Sequence, residues 1–274
     1  MDKNRGQLLG KICDYVYLFD ETDLPSLGNP NVVKIRDKSG IQTSYAGILR
    51  YPNMTVLAFQ GTITNQSVEA VKDWLQDFMI LRVPALGLPG LVHQGFAVQL
   101  ELIWDKILNE LKNPFSPPLY VTGHSQGAAV AVLATKALEM AGIKVEETYT
   151  FAAPRPGDAT FAASVNTPVY RFEFGDDIVP HVPFHGFSLD SFQEKLNAQI
   201  LAKAPELEEF LKKAAQGYQA VGQLIYRRPG SELHVVTSEK DEKSLQVSRD
   251  IMLAFANKDL FNHHHMPHYI NMLN

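Results

Sequence analysis

Cysteine is almost absent from this chain of 274 residues: Cys13 stands alone, so no intrachain disulfide can form and the fold cannot depend on an oxidising compartment. Its neighbours Ile12, Tyr15, Val16 and Leu18 mark it as a buried small hydrophobe rather than a reactive thiol. Charge of one sign is nowhere concentrated into a long block. The net charge is −5, the isoelectric point is near 6.0 and no run of like charges stands out, which argues against nucleic acid and against electrostatic docking to an anionic membrane. No apolar run approaches the ~18 residues of a membrane-spanning helix, so a soluble protein without a transmembrane segment is expected. The first residues mix charged and apolar groups and lack the apolar core and cleavage site of a signal peptide. A cytoplasmic place is the default expectation, or secretion if a signal peptide has been removed. Internal repeats, low-complexity tracts and linkers are also missing, which leaves residues 1–274 as one domain. At 45% hydrophobic residues, the chain can bury a substantial core.

What is present alternates. Leu8, Ile12 and Val16 recur at helical spacing and predict a helix over residues 7–19. Residues 41–49 and 54–59 flank the turn cluster Tyr51-Pro52-Asn53 and read as an antiparallel hairpin. Leu100, Ile103, Ile107 and Leu111 predict an amphipathic helix from Phe96, with Glu101, Asp105 and Glu110 on its other side. Short strands are expected at 117–122, 148–152, 169–174, 221–226 and 233–237. A charged helical stretch is expected over 188–216 and a last helix over 267–273. Strands alternating with helices predict an α/β fold whose mostly parallel central sheet is covered on both faces.

Gly123-His124-Ser125-Gln126-Gly127 lies between one of these strands and the helix-forming run 128–140, which Gly142 stops. A serine on such a strand-to-helix turn is held in a strained, exposed position, beside helix N–H groups that favour an oxyanion. Ser125 is therefore the candidate nucleophile. A serine hydroxyl needs a base, normally an imidazole oriented by a carboxylate. Glu173, Asp176 and Asp177 lie at or just past a strand end, although an Asp-rich turn is also a common structural device. His263, His264, His265 and His268 precede or open the last helix. The order Ser, Asp, His is that of the α/β-hydrolase fold. The histidine run also raises a metal site, but it lacks ligand spacing and a cysteine or carboxylate cluster. No metal and no cofactor are expected. His93 and His124 read as structural.

Six further segments, in order, make the chain resemble the class 3 lipases, the family of fungal triacylglycerol lipases. Leu57-Ala58-Phe59-Gln60-Gly61-Thr62 is similar to the family's F-R-G-(S/T) oxyanion strand, with Gln60 in place of the arginine. Asp73-Trp74-Leu75-Gln76-Asp77 resembles D-W-x-x-D, and Val92-His93-Gln94-Gly95-Phe96 resembles V-H-x-G-F. Thr150-Phe151-Ala152-Ala153-Pro154-Arg155-Pro156-Gly157 resembles T-F-G-x-P-R-V-G. Asp177-Ile178-Val179-Pro180-His181-Val182-Pro183 matches D-x-V-P-x-L-P, which selects Asp177 as triad acid. His264-His265-Met266-Pro267-His268-Tyr269-Ile270 resembles H-S-M-x-x-Y-I, which selects His264.

The resemblance implies an α/β-hydrolase fold with a lid, and a serine ester hydrolase acting on lipid acyl esters at or near a lipid–water interface. It implies that the Thr62 hydroxyl and N–H and the Gln126 N–H form the oxyanion hole, with Asp77 holding the Thr62 hydroxyl. It places the lid and acyl groove over residues 62–91, while 184–216 form a helical insertion able to act as a second cap. The alternatives are a phospholipase or galactolipase removing one acyl chain from a polar lipid, and a lipase-like lipid-binding protein without turnover. Oligomeric state, acyl-chain length and head group are not legible.

Overall fold

A computed structural model of the chain describes residues 1–39, 42–61, 81–113, 115–183, 217–254 and 262–274. The elements run as follows. Helix α1 (Lys3–Leu18) leads through a 3-10 turn into strands β1 (Asn31–Ser39), β2 (Gln42–Tyr51) and β3 (Met54–Phe59). Short strands β4 (Arg82–Val83) and β5 (Val92–His93) precede α2 (Gln94–Lys112). Next come β6 (Leu119–His124), α3 (Gln126–Met140), β7 (Glu147–Phe151), β8 (Gly157–Asp158), α4 (Ala159–Ser164) and β9 (Val169–Phe174). The chain closes with β10 (Tyr218–Gln219), β11 (Gln223–Arg227), β12 (His234–Val235), α5 (Glu239–Ala254) and α6 (Met266–Asn271).

The main sheet has eight strands in the order β1-β2-β3-β6-β7-β9-β11-β12. Its centre, β3 through β11, is parallel, and antiparallel strands close both edges. Alternate side chains enter two cores, as a two-residue period requires. Leu57 and Phe59 of β3 and Leu119 and Val121 of β6 face α2 and α3. Val56, Ala58 and Tyr120 face α1 and α6. Both faces are dry, which is why the parallel strands read as apolar runs. The α2 stripe Phe96, Leu100, Ile103, Ile107 and Leu111 is buried, each side chain worth about 1.5–3 kcal/mol. The α1 stripe Leu9, Ile12, Cys13 and Val16 is buried against the opposite face, and burial pushes the Cys13 thiol up to about 12.

The expected hairpin forms, with Tyr51 opposite Met54 across Pro52-Asn53. Several boundaries differ from expectation by a few residues, and two of them have local reasons. Pro117 and Pro118 have no N–H to give a ladder, so β6 starts at Leu119 and runs on to His124. Ala152 is left-handed (φ 52°), so β7 stops at Phe151. A second, four-stranded sheet, β10-β8-β5-β4, was not anticipated, and neither were β1, α4 and α5. The helical stretch expected over 188–216 and residues 62–80 of the expected lid lie outside the described residues. Of the remaining lid segment, Arg82 and Val83 pair with β5 and Leu88 is buried in the core.

Candidate active site

Ser125 sits between β6 and α3 with φ 57° and ψ −133°, a conformation that costs a non-glycine residue about 1–3 kcal/mol. Two glycines make the turn possible. A Cβ at Gly123 would meet the Ala128 nitrogen at 2.8 Å, and one at Gly127 would meet the Gln60 carbonyl carbon at 2.7 Å. The Ser125 N–H donates to the Phe151 carbonyl (2.9 Å), tying the elbow to the neighbouring strand. Gln126 opens α3, so its peptide N–H heads the helix at the positive end of the dipole.

The residues selected from distant segments converge here. His264 Nε2 lies 2.9 Å from Ser125 Oγ, and its Nδ1 lies 2.8 Å from Asp177 Oδ2. A carboxylate can only accept, so Nδ1 carries the proton and Nε2 presents its lone pair to the serine hydroxyl. Asp177 is buried at the turn after β9. Burial alone would raise its pKa. His264, the Tyr269 hydroxyl (2.6 Å) and the Val179 N–H (2.9 Å) outweigh that and hold it below the ordinary carboxylate value. Asp176 is exposed, and its N–H donates to His263 Nδ1 (3.0 Å). Glu173 is occupied in a buried ionic group. It accepts from Arg171 and Arg249, Arg171 also meets Glu242, and Arg249 donates to the Gly175 carbonyl (3.0 Å). Thus α5 grips the turn that carries Asp177. Thr62 and Asp77 lie outside the described residues.

Three further histidines have other tasks. His93 Nδ1 accepts from the Gly95 N–H (3.1 Å) and caps α2. His268 stacks on Phe174, with ring centroids 5.3 Å apart and 9° between the planes. His124 is buried between the Tyr17 hydroxyl and the His264 carbonyl. Among the described residues no three His, Cys, Asp or Glu side chains are grouped to hold a metal. Gln60 keeps part of an arginine's reach: its amide donates to the Val16 (2.9 Å) and Tyr17 (2.7 Å) carbonyls. Tyr269 had a signal in the sequence, the tyrosine of the H-x-M-x-x-Y match. Tyr17 and the α5 side chains had none.

Burial, and then the neighbouring His264, push the His124 pKa well below the usual ~6.5. The unfolded chain therefore binds a proton that the folded chain refuses. The stability contributed by neutral His124 is complete above about pH 6.5 and is lost as pH falls towards the folded value. Thermal melts of wild type and His124→Asn should show a gap that narrows from about pH 7.5 to pH 5. A gap independent of pH would mean that His124 titrates as in water.

Residues 56–187 match the family model described as lipase (class 3). Over this segment the chain is similar to the class 3 lipases. The chain is 33% identical over 147 residues to secreted mono- and diacylglycerol lipase A of Penicillium cyclopium, covering 51% of this chain and 46% of that one. The match thus spans about half of each protein. The fold extends the likeness beyond the matched segment. A mutant of MDLA from Penicillium cyclopium superposes with a TM-score of 0.61 at 22% identity, covering 86% of this chain and 85% of that one. A triacylglycerol lipase whose catalytic centre is described as a serine protease triad gives 0.60 at 19% identity, over 88% of each chain. At these identities the superpositions establish a shared fold, the α/β-hydrolase fold of the lipases. Ser125 and Asp177 lie inside the class 3 lipase match and His264 outside it, so the histidine is joined to the matched segment by geometry.

Proposed function

We propose that this chain is a serine carboxylic-ester hydrolase acting on lipid acyl esters through an acyl-enzyme on Ser125. The reading rests on one observation, the directed hydrogen-bonded line from Ser125 Oγ through His264 to buried Asp177. Ser125 Oγ attacks the acyl carbon while its proton passes to His264 Nε2. The tetrahedral oxyanion collapses, the C–O bond breaks, and His264 returns the proton to the leaving alcohol. Water then attacks the acyl-enzyme, giving its proton to His264, and the carboxylic acid departs as Ser125 regains a proton. Asp177 stabilises the imidazolium and fixes the tautomer. The Gln126 N–H and, by family resemblance, Thr62 stabilise the oxyanion, with Asp77 holding Thr62.

The Penicillium relative acts on mono- and diacylglycerols, which favours partial glycerides as substrates here. Purified protein should hydrolyse p-nitrophenyl esters from acetate to palmitate, and a fluorophosphonate should label Ser125. Emulsified mono-, di- and triacylglycerol and phosphatidylcholine, compared at equal acyl content, separate a glyceride lipase from a phospholipase. Absence of turnover on every ester, together with an unlabelled Ser125, would overturn the reading in favour of a lipid-binding protein.

A further inference from the structure

The end of α1 reaches the site by two routes. Val16 and Tyr17 belong to the last turn of that helix, whose carbonyls have no donor within it. The Gln60 amide supplies one to both, joining the helix end to the residue that follows β3. The Tyr17 side chain takes the second route. Its hydroxyl lies 2.7 Å from His124 Nδ1, and His124 Nε2 lies 2.8 Å from the backbone carbonyl of His264. A carbonyl only accepts, so Nε2 holds the His124 proton and Nδ1 is the acceptor. The chain therefore has one direction: Tyr17 O–H to His124, and His124 N–H to His264 C=O. The His124 and His264 rings lie 4.7 Å apart, so a shift of the first ring moves the second. Burial pushes the Tyr17 phenol far up, which keeps it a donor across the working pH range.

We propose that Tyr17 and His124 are positioning residues for ester hydrolysis, setting where the His264 imidazole stands between Ser125 and Asp177. This rests on the reading of His264 as the general base. His264 stands in the loop just before α6, outside regular structure. Asp177 fixes Nδ1 of its ring, while its backbone carbonyl is held by the His124 Nε2–H. Removing the Tyr17 hydroxyl leaves a buried Nδ1 without a donor and frees His124 to take the other tautomer. A lone pair on Nε2 would then face the carbonyl lone pairs, and the two groups would separate. Small displacements of a general base are costly, because proton transfer demands close alignment.

The test is Tyr17→Phe, which removes one oxygen and keeps the ring. With rates normalised to the folded fraction from circular dichroism, kcat on p-nitrophenyl butyrate should fall roughly tenfold while KM stays within about twofold. Fluorophosphonate labelling of Ser125 should slow in parallel. Nitrogen NMR of labelled histidine should show His124 as the single Nε2–H tautomer in wild type and as a mixture in the variant. His124→Gln, whose amide can still donate to the His264 carbonyl, should keep more activity than His124→Leu. Unchanged kcat in Tyr17→Phe, or equal losses in the two His124 variants, would overturn the proposal. Wild type without esterase activity would instead overturn the proposed function, and the tautomer spectrum would still decide the hydrogen-bond chain.

Discussion

Ser125→Ala is expected to lower kcat by roughly four to six orders of magnitude, because without the hydroxyl no acyl-enzyme forms and only direct attack by water, aided by the oxyanion donors, remains. The fold should survive. The bond from Oγ to His264 is a single contact at a neutral hydroxyl, so the melting temperature should change by less than about 3 °C. The strained backbone offers a second reading of the same position. Alanine keeps the steric conflict at φ 57°, whereas glycine relieves it, so Ser125→Gly should be inactive yet about 1 kcal/mol more stable than Ser125→Ala. Activity measured by burst and steady-state ester hydrolysis, with urea melts of both variants, checks the two halves independently. An active alanine variant would remove Ser125 from the mechanism. A glycine variant less stable than alanine would show that the elbow stores no strain.

His264→Ala should cost about as much in kcat as the loss of the serine, since the two act as one unit and their effects do not add. Its neighbours should behave differently because each is occupied elsewhere. His263 accepts the Asp176 N–H, so His263→Ala should cost about 1 kcal/mol of stability and change kcat by less than about tenfold. His268 stacks on Phe174, so His268→Ala should likewise appear in the melt rather than in the rate. Steady-state kinetics and melting temperatures across the alanine series decide the matter. Comparable rate losses at two histidines, or recovery on adding zinc, would reinstate a metal site in the histidine run.

Much of this site was legible without coordinates because its pieces are local. The elbow is a strand, a five-residue turn and a helix, and each declares itself by composition within a few residues. The α2 stripe, the hairpin about its turn cluster and the last helix opened by Pro267 are equally local, and each forms within a few residues of the expected range. The residues Asp177 and His264 were selected by resemblance, since the loops that carry them also hold other carboxylates and imidazoles. What a linear reading passes over is structure whose pattern is either too short or of the wrong polarity. Strands β4, β5, β8 and β10 have two residues each, too few to show a period. Helix α5 was missed because Glu242, Gln246 and Arg249, which it sends inward beside Leu245, are spaced as a helical stripe but polar.

The sequence by itself determined the fold class, the strand-turn-helix elbow around Ser125 and the two-sided core, because propensity, turn chemistry and hydrophobic period act between residues close along the chain. Composition and spacing left open which carboxylate meets which imidazole; the resemblance selected Asp177 and His264, and the tertiary structure brings them together. Asp176 and Asp177 are adjacent in sequence, yet one faces solvent and the other is buried under Tyr269. Only the tertiary structure decided that Tyr17 reaches His124, 107 residues away, and that His124 holds the His264 carbonyl a further 140 residues on. Such bonds leave no periodic trace, because a polar side chain's choice of partner depends on distance and direction in space, and these exist only after the apolar stripes have closed the core.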